Sequence, residues 1–135
     1  SLVGTLVGAE VNVSGGFHIH SGYSCDDADG VGGHYYDGLA SDPWSTVYTS
    51  DENGVASVAL ALSDFTMTSA MPVSARAVVA HSSSGTRIGC GLVGAADTGF
   101  TTLGQYPSYT GEYTVIGSIA VIETSTGIVL KGTLA

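Results

Sequence analysis

The chain reads as an all-β sandwich or barrel. Twenty glycines in 135 residues, among many Val, Thr, Ser and Tyr, disfavour helix almost everywhere. Strand-length runs recur along the chain, and turn chemistry separates them. The length is that of one domain, and 44% hydrophobic residues are enough for a core.

Taken in order, the first run is Leu2-Val3-Gly4-Thr5-Leu6-Val7. A strand carrying His18-Ile19-His20 follows. The next run, Val55 to Leu62, is rich enough in Ala for a helix, but its β-branched residues and period-two spacing favour a strand. Ser74 to His81, Tyr113 to Ile122 and Gly127 to Leu134 complete the set. Asp51-Glu52-Asn53-Gly54 and Glu123-Thr124-Ser125-Thr126-Gly127 read as turns, and Gly104 to Gly111 as an irregular connector before the final hairpin. The two ends resemble each other: Leu2-Val3-Gly4-Thr5-Leu6 and Leu130-Lys131-Gly132-Thr133-Leu134 differ only at the second place. One repeat cut from a tandem array would show this. Residues 1–135 are therefore expected to form one domain, with 112–135 supplying the first strands of the module or of a following repeat.

Charged residues make up only 11% of the chain, and the formal net charge is −9 with a pI near 4.3. Nucleic acid and anionic membrane surfaces need clustered cations, so both are excluded as partners. No run of 18 apolar residues exists, so no insertion into a membrane is expected. The chain opens at Ser1-Leu2-Val3-Gly4, without Met or a signal-peptide pattern, and reads as a mature fragment or an excised domain. Four His stand against three Lys and Arg.

Those four His are the chemistry-bearing residues. On a strand, His18 and His20 point to one face about 7 Å apart, so both imidazoles reach a single metal. His34 follows Gly32-Gly33, where glycine lets a loop approach closely. His81 ends the apolar run Val78-Val79-Ala80. Each taken alone has a bland reading as an exposed or structural His; four on strand ends and Gly-rich loops favour one shared site. Neutral imidazoles without a thiolate suit Cu(II), with Zn and Ni as weaker candidates. Arg87, six residues after His81, would dock a small anion through its fork of donors, although a surface Arg usually just pairs with a carboxylate. Arg76 and Lys131 read as structural. Cys25 and Cys90 are the only cysteines, and in an acidic, Lys-poor domain they point to a secreted protein with one disulfide. It would close a loop of about 65 residues and stabilise by roughly 4 kcal/mol on the chain-entropy model. Asn12-Val13-Ser14 is a glycosylation sequon.

Together these segments resemble the copper/zinc superoxide dismutases. The signature runs Gly16-Phe17-His18-Ile19-His20, Cys25, Gly32-Gly33-His34, Val78-Val79-Ala80-His81 and Gly85-Thr86-Arg87-Ile88-Gly89-Cys90-Gly91-Leu92-Val93-Gly94, in order over about residues 1 to 95. The resemblance implies a Greek-key β-sandwich or flattened barrel. His18, His20 and His81 match the copper ligands, His34 the histidine that elsewhere bridges copper and zinc, and Arg87 the guanidinium that guides superoxide. Cys25 and Cys90 match the family disulfide. Two departures sharpen it. No His lies between Tyr35 and Asn53, so the zinc site cannot be assembled, and the interval from His81 to Arg87 leaves no room for the family's long charged loop. This pattern is similar to the copper-only superoxide dismutases, secreted enzymes without zinc, and to one domain of their repeat proteins, with terminal strands permuted relative to the usual enzyme.

The resemblance implies one copper per domain, no zinc, superoxide as substrate, O2 and hydrogen peroxide as products, and neighbouring repeats as partners. His34 would take a proton, with Asp37, Asp42 or Asp51 orienting its other nitrogen. The competing class is a copper-buffering or structural repeat module on the same fold. Zinc hydrolase chemistry finds no carboxylate at motif spacing beside the His pair.

Overall fold

The computed structural model describes residues 4–6, 11–36, 39–58, 60–62, 65, 72–93, 100–111, 117–124 and 127–131. Among them the chain forms strands β1 (Gly4–Leu6), β2 (Ser14–Ile19), β3 (Val47–Thr49), β4 (Ala56–Val58), β5 (Leu60–Leu62), β6 (Ala77–His81), β7 (Arg87–Leu92), β8 (Phe100–Gln105), β9 (Gly117–Thr124) and β10 (Gly127–Lys131). A single helix among the described residues, α1 (Ala28–Val31), follows β2. The expectation of an all-β fold holds, and every strand pair is antiparallel.

Eight strands share one sheet in the order β3-β2-β6-β7-β8-β9-β10-β5, and β1 pairs with β4. β4 and β5 follow each other along the chain. β5 pairs with β10 at one edge of the large sheet, while β4 reaches β3 at the other edge through the Ser50–Ala56 bridge. The sheet thus returns on itself as a flattened barrel. Within it, β6, β2, β3 and β4 lie side by side, three consecutive strands with a fourth brought back beside the first, which is a Greek key.

Alternation decides what lies on each side of the wall. Phe17 and Ile19 of β2, Val78 and Ala80 of β6, Ile88, Leu103 and Ile128 all belong to the interior core, with Tyr35, Trp44, Tyr48 and Phe65. The intervening residues Ala77, Val79 and Cys90 form a second cluster with Val31 and Tyr106. His18, between Phe17 and Ile19, therefore emerges on the outer side of the wall. The Cys25–Cys90 disulfide, with Cα atoms 5.9 Å apart, ties the loop after β2 to β7.

Local differences from the sequence reading have local causes. β6 starts at Ala77 because Ala75 takes a left-handed conformation (φ 65°) and Arg76 N–H closes a turn onto Val73 O at 3.1 Å. β3 is only three residues long, and Gly89 and Gly91 interrupt β7, so neither carries an alternating pattern. Gly104 and Gln105 belong to β8, and the connector begins at Tyr106. α1 is four residues long, and the Asp27 side chain caps it by accepting from Gly30 N–H at 2.6 Å. The Asp51 turn is as expected: its Oδ1 accepts from Asn53 and Val55 N–H at 2.8 and 3.0 Å, and Gly54 supplies φ 72°. Leu2, Val3, Val7, Asp37, Gly94, 112–116 and 132–135 lie outside the described residues. Among the described residues no helix is long and apolar enough to cross a membrane.

Candidate metal centre

Three elements of the outer wall bring the four His together. β2 carries His18 and runs on into His20, which bridges to His34, and the neighbouring β6 ends in His81. The His34 loop is drawn back by Ser21 N–H to Gly33 O at 2.8 Å, Gly22 N–H to Val31 O at 2.9 Å and Tyr35 N–H to Ile19 O at 2.9 Å. One ligand atom from each of His18, His20, His34 and His81 lies within 4.8 Å of all the others. Among the described residues they form the one such group, and they could hold a metal ion.

Hydrogen bonds select the nitrogens. His20 Nδ1 donates to Gly32 O at 2.9 Å and His81 Nδ1 to Gly16 O at 3.2 Å, since a carbonyl only accepts. His34 Nδ1 donates to Asp42 Oδ2 at 2.8 Å. Each of these rings therefore has Nε2 as the nitrogen it can offer to a metal. His18 differs: its Nδ1 is the buried atom without a partner, and His20 Nε2 is the other. Two orphaned buried nitrogens in one cluster call for an acceptor of their lone pairs. A metal cation supplies it, so the residues fit one.

Burial keeps three of the donors neutral. Burial pushes His18 and His81 down to about 4 and His20 to about 3, from 6.5. The neighbouring imidazoles, and Arg87 for His20 and His81, press the same way. Neutral imidazole is the ligating form. The Asp42 carboxyl is held below its usual value: burial opposes this, but hydrogen bonds from Trp44 N–H and His34 outweigh it.

Space is made by glycine. A Cβ on Gly16 would stand 2.5 Å from His18 Cε1, so only glycine lets that ring lie back over β2. Gly32 holds φ 72°, which turns its carbonyl toward His20.

The His cluster opens into a cleft of about 520 Å³ lined by His18, His34, His81, Ser45, Ser82 and Arg87, among others. Arg87 reaches it through the hairpin between β6 and β7. Ser82 N–H to Thr86 O at 2.7 Å, Gly85 N–H to Ser82 O at 3.0 Å and Gly85 at φ 90° close this turn, and Arg87 pairs with His81 after a bulge at Ala80/His81. Its guanidinium donates to Tyr106 Oη at 2.9 Å. Arg76, by contrast, bonds Pro72 O and Ser21 O and lies over the Tyr35 ring at 3.7 Å, a structural post as expected. Among the described residues Arg87 is the one cation lining the cleft.

Every sequence-named His converges, and Arg87 joins them. Of the three carboxylates considered for His34, Asp42 takes the place, Asp51 serves its own turn, and Asp37 is outside the described residues. Asp42-Pro43 is a turn-initiating pair, and that signal could have singled it out. Tyr106 and the steric role of Gly16 were missed, and nothing in the sequence marks Tyr106. No protein-family model matches the chain, and no curated protein matches it.

Proposed function

We propose that the chain is a copper-dependent, zinc-independent superoxide dismutase that acts outside the cell. One observation carries the reading: four imidazoles converge, three of them held neutral by burial, beside a cleft whose one cation among the described residues is Arg87. The donor set contains no thiolate, because both cysteines are tied in the disulfide, and it suits copper. His18 would bind through Nδ1, and His20, His34 and His81 through Nε2. The disulfide fits an oxidising compartment.

The net reaction is 2 O2•− + 2 H+ giving O2 and H2O2. Copper supplies the one-electron couple for both halves. Arg87 holds the anion at the cleft through donors not committed to Tyr106. His34, the half-buried member of the four, lines the cleft: with Nε2 off the metal it would take a proton from solvent there and pass it to the reduced anion, while Asp42 keeps Nδ1 protonated. A copper buffer has no use for Arg87 in the cleft, so catalysis is favoured over storage.

The test measures bound copper and superoxide turnover in one preparation. One copper per chain with turnover is expected, and Arg87→Ala should keep copper but lose about tenfold or more of the rate. Copper without turnover would make the protein a buffer, no copper would make it a structural module, and an unchanged Arg87→Ala rate would remove the role given to Arg87.

A further inference from the structure

The first and last described strands pair with β4 and β5, which are consecutive in the chain. Gly4, Thr5 and Leu6 of β1 pair with Val58, Ser57 and Ala56 of β4. Ile128, Val129 and Leu130 of β10 pair with Leu62, Ala61 and Leu60 of β5, the continuation of β4. Extending the β10 register by one residue at a time would set Gly132 opposite Val58, Thr133 opposite Ser57 and Leu134 opposite Ala56. These are the partners that β1 already holds, residue for identical residue. The far side agrees. β10 pairs with β9 as far as Lys131–Ala120, so Ile119, Ser118 and Gly117 come next along that edge, and β1 packs against β9. β1 thus lies between β4 and β9, in line with the end of β10.

We propose that the slot between β4 and β9 is an exchange site for a Gly-Thr-Leu strand, held by the N-terminal copy and equally suited to the C-terminal copy Gly132-Thr133-Leu134 of the same chain. That the extrapolated β10 register would bring an identical Gly-Thr-Leu onto the partners of β1 is a stronger coincidence than similar β-type ends. In a chain of linked units, the same three residues would complete the barrel of the unit they end or of the unit they begin. The proposal is independent of the metal chemistry.

The test uses the full chain with Thr5→Pro, Thr133→Pro and both together, because proline removes the N–H and fixes φ. Hydrogen exchange at the amides of 56–58 is the readout. Each single variant should stay within about threefold of the parent, because the other copy fills the slot, and the double variant should lose about tenfold or more. In Thr5→Pro, backbone NOEs should join 132–134 to 56–58 within one molecule. Thr5→Pro losing as much protection as the double variant, or Thr133→Pro alone stripping it, would overturn the proposal. NOEs found only between molecules in a mixed-label sample would also overturn it, giving the slot to a second copy. Should the double variant fail to fold, the NOEs in Thr5→Pro decide.

Discussion

Three of the four clustered imidazoles, His20, His34 and His81, have Nδ1 fixed by a neighbour, and the neighbour decides which lone pair is offered. For His34 that neighbour is Asp42, whose Oδ1 accepts from Trp44 N–H at 2.9 Å while Oδ2 accepts from Nδ1. Asp42→Asn leaves one oxygen for two donors. With the oxygen kept by Trp44, the amide NH2 faces His34 and demands an acceptor at Nδ1, which moves the proton to Nε2, the ligating atom. Copper affinity should fall about tenfold while the fold persists, as happens when the partner of a metal-bound His is changed; a competition titration with unchanged affinity would refute this. Gly16→Ala should do more, because its Cβ drives against His18 Cε1, whereas a Cβ on Gly33 meets nothing within 4 Å. The expected contrast is a loss beyond about tenfold for Gly16→Ala and a change within about twofold for Gly33→Ala. At this scale the site was legible because its residue types are scarce: four His, three cations and two Cys leave few assignments. Asp42 was one of three carboxylates, and a hydroxyl such as that of Tyr106, on a connector 19 residues from Arg87, is visible only after folding.

At the scale of elements, two devices hold the cleft. The five residues between His81 and Arg87 form the turn of the β6–β7 hairpin, and its bulge sets those two residues opposite each other. The disulfide anchors the loop that carries Gly32 and His34 to the same β7 that starts with Arg87. Removing the crosslink, as Cys25→Ser with Cys90→Ser, should lower the unfolding free energy by about 2–5 kcal/mol, read from denaturant midpoints. It should also weaken copper binding, because His20 then loses its fixed acceptor at Gly32 O. A loss of stability with copper affinity intact would confine the crosslink to a structural role. The strands that were legible, such as β4, β5, β9 and β10, carry apolar runs bounded by turn residues. β7 was not, since a strand that reads Arg-Ile-Gly-Cys-Gly-Leu takes its order from β6 and β8 on either side rather than from its own propensity.

For the whole molecule, the fold class was legible in composition and turn spacing and the flattened barrel in the family resemblance, but which strands close it was not. Closure depends on the consecutive strands β4 and β5 serving opposite edges of one sheet, and long-range pairing of that kind leaves no local mark. Global stability nevertheless inherits a prediction from the site. His18, His20 and His81 titrate near 6.5 when unfolded and at about 4, 3 and 4 when folded, because burial penalises their charged forms. Between these values the unfolded chain binds more protons than the folded one, so unfolding free energy rises with pH across that window. The metal-free protein should therefore be at full stability above about pH 6.5 and should lose it steadily toward pH 4. Even a tenfold weaker proton affinity at each of the three rings amounts to about 4 kcal/mol, a large part of the 5–15 kcal/mol typical of a domain. A metal that binds the neutral rings opposes their protonation and should move the fall to lower pH. Urea midpoints taken from pH 7 to pH 4, with and without copper, measure both effects. A metal-free midpoint that stays level across that range would mean that the three rings are not held neutral by burial, and the account of the site's electrostatics would fall with it.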